Sequence, residues 1–212
     1  MPFHPRTRVL LAKAGLAPEE LAALGHPARH QMPYEPQGFG LIGDPGRGKS
    51  WALVQHLAQR VERLVRAQPD PHRATLLWVD DAVGVARDGR LAWVNWKRQA
   101  EDIQLRRFES AWLDSWAEFA SDVPVLVLDD LGLESLDGAS CPARKLLVRV
   151  IEHRYRQRML LFWTSNRHRG ELTDFYGGPL ASRLLGTWPD YPVDGQDMRL
   201  FPVVLKMAAG GK

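Results

Sequence analysis

The apolar positions of this chain follow two rhythms that alternate along most of its length. Leu53, Val54, Leu57, Val61, Leu64 and Val65 recur at three- and four-residue spacing, which predicts an amphipathic helix over 50–68. Similar patterns predict helices over 100–119 and 143–157 and a short one over 180–185. Between them lie short, nearly unbroken apolar runs: "GFGLIG", "ATLLWV" (74–79), "VPVLVL" (123–128), "MLLFWTSN" (159–166) and "RLFPVVL" (199–205). Such runs are expected of strands buried on both faces, and Pro202 assigns the last one to a sheet edge. Strands alternating with helices predict an α/β domain, a parallel sheet covered by helices on both faces, over residues 37–212. Ahead of it, "TRVLLAKAG" and "LAPEELAALG" read as two short helices. The second has Pro18 near its start, Glu19 and Glu20 in its first turn and Gly25 as its stop. "HPARHQMPYEPQ" then reads as a linker. Residues 1–36 are therefore a short helical extension, too small to fold alone and a candidate partner-binding segment.

Composition narrows the function classes. Cys141 is the one cysteine, so neither an internal disulfide nor a multi-cysteine metal site can form. The seven histidines show no metal-ligand spacing. No apolar run is long enough to span a bilayer, and "MPFHPRTRV" lacks a secretory apolar core, which predicts a cytoplasmic protein without membrane contact. A formal net charge of +3 and a pI near 9.2 favour an anionic partner.

Four motifs carry chemistry. "GDPGRGKS" matches G-x-x-x-x-G-K-[ST] between a predicted strand and a predicted helix. Gly43, Asp44, Pro45, Gly46, Arg47, Gly48, Lys49, Ser50 and Trp51 form the candidate nucleotide-binding set. The glycines let backbone N–H groups wrap an anion at a helix N-terminus; Lys49 reaches the β and γ phosphates, and the Ser50 hydroxyl suits Mg²⁺. "VPVLVLDDLG" sets Asp129 and Asp130 at a strand's carboxyl end, where ligands gather in parallel sheets. Asp129 is the second candidate metal ligand, and Asp130 is placed to polarise an attacking water. In "TSN", Asn166 ends the next strand and could orient water beside a γ-phosphate; a helix cap is the plain alternative. In "LASRLLG", Arg183 could act on a neighbouring subunit's nucleotide, or simply lie at the surface.

Two basic stretches bear on nucleic acid. In "ARDGRLAWVNWKRQ", Arg87, Arg90, Lys97 and Arg98 surround Trp93 and Trp96, a combination suited to stacking on single-stranded bases. The alternative puts both tryptophans in the core and leaves the charges to solvate a face. In "RKLLVRVIEHRYRQR", Arg144, Lys145, Arg149, Arg154, Arg156 and Arg158 could face DNA, a neighbour or solvent.

Taken together, the motifs from Gln37 to Leu205 resemble the AAA+ ATPases, and within them the DnaC/IstB-type group. "GDPGRGKS" looks like Walker A, and "LVLDDLG" is similar to the group's Walker B, with Asp-Asp in place of the commoner Asp-Glu. "WTSN" looks like sensor 1, and "ASRLLG" resembles the segment with the arginine finger. Arg47 departs from the family's usual small residue. The helical lid of most AAA+ proteins is expected to be missing, as within this group, and Arg199 is the candidate for sensor 2. The resemblance implies a P-loop NTPase fold of AAA+ type without the lid, ATP and Mg²⁺ as cofactors, and catalytic roles for Asp130, Asn166 and Arg183. It also implies a homo-oligomer through Arg183, and DNA contacts by Arg90, Trp93, Trp96, Lys97 and Arg98. The implied function is ATP-dependent loading of a DnaB-type replicative helicase onto single-stranded DNA. One alternative is an IstB-like transposition helper that binds duplex DNA and a transposase. Another is a P-loop small-molecule kinase.

Overall fold

Alternating strands and helices build one parallel sheet. The computed structural model describes residues 3–16, 18–25, 37–71, 77–80, 85–88, 91–134 and 141–194. Along the chain run helices α1 (Pro5–Lys13) and α2 (Pro18–Leu21), strand β1 (Gly40–Ile42), helix α3 (Lys49–Ala67), strands β2 (Leu77–Asp80), β3 (Val85–Asp88) and β4 (Leu91–Asn95), and helices α4 (Trp96–Leu105) and α5 (Ser110–Asp122). Strand β5 (Val125–Leu131), helix α6 (Pro142–Arg156), strand β6 (Leu160–Ser165), helices α7 (Arg169–Tyr176) and α8 (Gly178–Thr187) and strand β7 (Asp190–Pro192) follow. The sheet order is β4-β5-β6-β1-β7, and every neighbouring pair is parallel. Strand β6 therefore separates the strand that enters the glycine loop from the strand that carries Asp129 and Asp130.

The unbroken apolar runs reflect two cores, one on each face of the sheet. Val125 and Val127 of β5 join Phe162 of β6 in the core shared with α1 and α3. Leu126 and Leu128 join Trp163 in the core shared with α4 to α8. The N-terminal helices belong to this packing: Leu10, Leu11, Leu16 and Leu24 are buried with Leu53 and Leu57 of α3. The Glu62 carboxylate of α3 accepts from His4 N at 2.9 Å and Thr7 Oγ1 at 2.6 Å, meeting the open N-terminus of α1. Trp93 N donates to Ala14 O at 2.9 Å, which covers the outer edge of β4.

Several expectations change. The described part of "ATLLWV" pairs antiparallel with β3 in a separate ribbon, and β4 takes the sheet position beside β5. The helix expected over 100–119 is two helices, because the chain turns tightly where Glu109 N bonds to Arg106 O. Helix α7 and strand β7 were not anticipated, while "RLFPVVL" and Arg199 lie outside the described residues. Arg154 is not part of a basic face. It is fully buried, donating to Ala120 O, Ser121 O, Val123 O, Pro124 O and Leu160 O. It satisfies carbonyls that the end of α5 leaves open and ties down the starts of β5 and β6. No described helix is long and apolar enough to cross a membrane.

His56 of α3 lies edge-on to Phe39 at 5.0 Å between ring centroids, and its Nε2 has no hydrogen-bond partner among the described residues. Burial, with Arg60 and Arg63 adding repulsion, lowers its pKa from 6.5 to about 4. The folded protein keeps this imidazole neutral where the unfolded chain would protonate it. Its contribution to stability is complete above pH 6.5, declines below that value and is lost by the folded value of about 4. The slope approaches one proton, about 1.4 kcal/mol per pH unit. Urea unfolding at about pH 7 and about pH 5 checks this. His56→Phe is expected to lose less stability across that interval than the parent chain, and an equal loss would contradict the assignment.

Candidate functional site

Strand β1 runs into a loop whose glycines set its shape. Gly43, Gly46 and Gly48 have φ values of 145°, 82° and 84°. A Cβ at Gly43 would lie 2.7 Å from Val193 O, so no side chain fits where the loop leaves the sheet. Gly48 precedes α3 and has no side chain to cap it, leaving the first-turn N–H groups available to an anion. Asp44 and Arg47 form an ion pair with each other at 3.1 Å, Pro45 is exposed, and Trp51 is half-buried against the α3 core.

Lys49 is buried, and its Nζ donates to Gly43 O at 2.7 Å, Asp44 O at 2.8 Å and Asn166 Oδ1 at 2.6 Å. Ser50 Oγ donates to Asp129 Oδ1 at 2.8 Å. The loop lysine thus meets the end of β6, and the loop serine meets the end of β5.

The end of β5 is irregular. Leu128 pairs with Trp163 but Leu131 pairs with Ser165, so β5 advances three residues while β6 advances two. This bulge holds Asp130 at φ 64°, a left-handed conformation that costs an aspartate about 1 kcal/mol. Thr164 of β6 fills the gap in the ladder: its Oγ1 accepts from Asp130 N at 3.0 Å and donates to Asp129 Oδ1 at 2.6 Å. From the other side, Asn95 at the end of β4 donates from Nδ2 to Asp130 Oδ2 at 3.2 Å. The same side chain caps α4 by accepting from Arg98 N at 3.1 Å. Sequence reading missed Asn95 and Thr164. A polar residue ending each apolar run was the available signal.

The donor set fits a nucleotide with its metal. Ser50 and Asp129 offer a hydroxyl and a carboxylate oxygen 2.8 Å apart, hard ligands of the kind Mg²⁺ takes. No protein-family model matches the sequence, and no curated protein does so. Solved structures resemble it. The DnaC helicase loader aligns with a TM-score of 0.53 and 19% identity, over 76% of this chain and 82% of its own. DnaI aligns with a TM-score of 0.51 and 19% identity, over 78% of this chain and 77% of its own. The replication initiator DnaA bound to AMPPCP and single-stranded DNA aligns at 0.51 and 13%, over 82% of this chain and 46% of its own. The chain shares the fold of the DnaC helicase loader and of DnaI. Among its described residues no helical lid domain follows the sheet.

Other expected site residues lie apart. Arg183 sits on α8, pairs with Glu152 Oε1 of α6 at 3.3 Å and donates to Pro179 O at 3.2 Å. The stacking role for Trp93 and Trp96 does not hold. Trp93 is 8% exposed in the α3 core and Trp96 is fully buried in the opposite core, so neither presents a face to a base. Lys97 and Arg98 are exposed in the first turn of α4, whereas Arg90 lies outside the described residues and nothing of the Arg87 side chain is described. An exposed aromatic–arginine cluster lies instead at the α4–α5 elbow. Phe108 is 86% exposed, Arg107 lies 4.8 Å from its ring centroid, and Arg106 lies 4.9 Å from that of Trp112.

Thr164→Val tests the bridge across the bulge. The swap nearly conserves volume but leaves Asp130 N and Asp129 short of a partner, so we expect a loss of about 1–3 kcal/mol in urea unfolding. Thr164→Ser keeps the hydroxyl and should lose less. The reverse order would mean that the methyl group matters and the bridge does not.

Proposed function

We propose that this chain is an ATP-dependent DNA replication factor of the helicase-loader kind, an ATPase that binds single-stranded DNA and helps deliver a DnaB-type ring helicase. The observation that carries the reading is the meeting of Lys49 with Asn166 and of Ser50 with Asp129 at one end of the sheet. The loop Gly43–Ser50 and the N-terminus of α3 hold the phosphates of ATP. Ser50 and Asp129 would hold Mg²⁺, which supplies positive charge against the phosphate oxygens. Asp130, its carboxylate steadied by Asn95, orients the attacking water. Asn166 senses the γ-phosphate beside Lys49. Arg183 reaches the nucleotide of a neighbouring copy, which makes the active form an oligomer.

Three further observations support the DNA and helicase parts. The neighbour DnaC is a helicase loader, and the neighbour DnaA is bound to AMPPCP and single-stranded DNA. Phe108 with Arg106 and Arg107 offers a stacking face beside cations, which suits flexible single strands. Asn95 joins the start of α4 to Asp130, a route by which DNA at the elbow reaches the hydrolytic site. The site of action is the cytoplasm.

ATP turnover is the test. We expect Mg²⁺-dependent hydrolysis that single-stranded DNA stimulates by about tenfold or more, that Lys49→Ala abolishes, and whose stimulation Phe108→Ala weakens. Stimulation by duplex alone would favour a transposition helper. Phosphate transfer to a metabolite without any DNA effect would favour a kinase. No turnover under any condition would remove the ATPase.

A further inference from the structure

The turn after Asp130 is gripped by side chains that the phosphate chemistry does not use. Gly132 has φ 85°, and a Cβ there would lie 2.8 Å from Arg167 Cδ, so glycine is needed both for the turn and for the contact. Its N–H donates to Glu134 Oε2 at 2.8 Å and to the Tyr176 hydroxyl at 2.9 Å. That hydroxyl in turn donates to Glu134 Oε1 at 2.5 Å. The Gly132 carbonyl accepts from Arg167 Nε at 2.6 Å, and the Leu131 carbonyl accepts from Ser165 Oγ at 2.7 Å. Glu134 is 4% exposed and Tyr176 is 1% exposed, so this is a buried, fully partnered network in which each bond is strengthened by its surroundings. Burial and the neighbouring Glu134 push the phenol well above its usual pKa, so it remains a donor at physiological pH.

Tyr176 is the last residue of α7, and α8 with Arg183 starts two residues later. Its carbonyl accepts from Arg144 Nη2 of α6 at 2.6 Å, and Arg167 stacks on the neighbouring Phe175 at 4.3 Å. One clasp therefore joins the Asp129–Asp130 turn, the end of β6, the start of α6 and the hinge between α7 and α8.

We infer that Tyr176 and Glu134 are positioning residues that set the Asp129–Asp130 turn and the Arg183 helix relative to each other. Neither touches the phosphate loop. They act by holding the backbone of the turn while anchoring the start of α8. The inference rests on the ATPase reading for its catalytic consequence, and its structural content stands without nucleotide.

Hydrogen exchange on the full chain and its Tyr176→Phe variant tests the coupling directly. Exchange should quicken by about tenfold or more in residues 129–134 and in α8 together, with α3 unchanged. Faster exchange confined to the turn, or spread evenly over the chain, overturns the coupling. In turnover assays the variant should keep a Kd for ATP within about twofold of the parent while kcat falls about tenfold. A matching loss in both would mean that the phenol only holds the fold. Glu134→Gln leaves one acceptor oxygen where the carboxylate has two, so either the Gly132 N–H or the phenol loses its partner, and exchange should quicken in residues 129–134 and in α8 together, as in Tyr176→Phe. Exchange unchanged from the parent in both segments would contradict the clasp. If the parent chain has no turnover, the ATPase reading fails alone and the exchange pattern decides the clasp.

Discussion

The carboxyl edge of this sheet depends on one extra residue in β5. A regular ladder with β6 would alternate Asp129 and Asp130 between the two faces and commit them to opposite cores. Asp129 keeps the face of Val125 and Val127 and meets Ser50 of α3, while the bulge turns Asp130 to φ 64°, with its carboxylate on Asn95. Such a distortion persists only where its surroundings over-determine it. Here Thr164 bridges the two aspartates, Asn95 holds the second carboxylate, and Ser165, Arg167, Tyr176 and Glu134 hold the backbone beyond it.

The sheet order explains why this edge can serve as a site. Because β6 lies between β1 and β5, its end supplies Thr164 to the aspartates and Asn166 to the loop lysine. The two cores then bring different helices to one place. The core shared with α3 fixes the phosphate loop and its helix N-terminus. The opposite core fixes α4, whose capping residue touches Asp130, and α7–α8, which carry Tyr176 and Arg183. Arg154 secures the far end by gathering the carbonyls where β5 and β6 begin, so the register that produces the bulge is pinned at both ends.

Some of this was legible in the sequence because its chemistry is local. The glycine loop declares itself through spacing and through the strand and helix that flank it, and the buried strands declare themselves through continuous apolar runs. Residues that act across strands were not legible, since periodicity does not give strand order: Thr164 and Asn95 matter only because β6 and β4 flank β5. The stretch around Trp93 misled for a related reason. Its mixture of aromatic and basic residues suits a nucleic-acid face. In the fold, Leu91 and Trp93 point to one core and Ala92 and Trp96 to the other, while Lys97 and Arg98 stay in water. The helix expected over 100–119 broke at Arg106–Glu109 because the apolar spacing continues through a turn that no proline or glycine marks.

In the proposed function, the loop serine and Asp129 together hold the metal of a phosphate site. Equilibrium titration of ATP, with and without Mg²⁺, on the parent chain and on Asp129→Asn tests it most directly. Mg²⁺ is expected to tighten binding to the parent by about tenfold or more, and Asp129→Asn to abolish this gain while still binding free ATP. Equal affinity with and without Mg²⁺ in the parent, or an unchanged Mg²⁺ effect in Asp129→Asn, would contradict it.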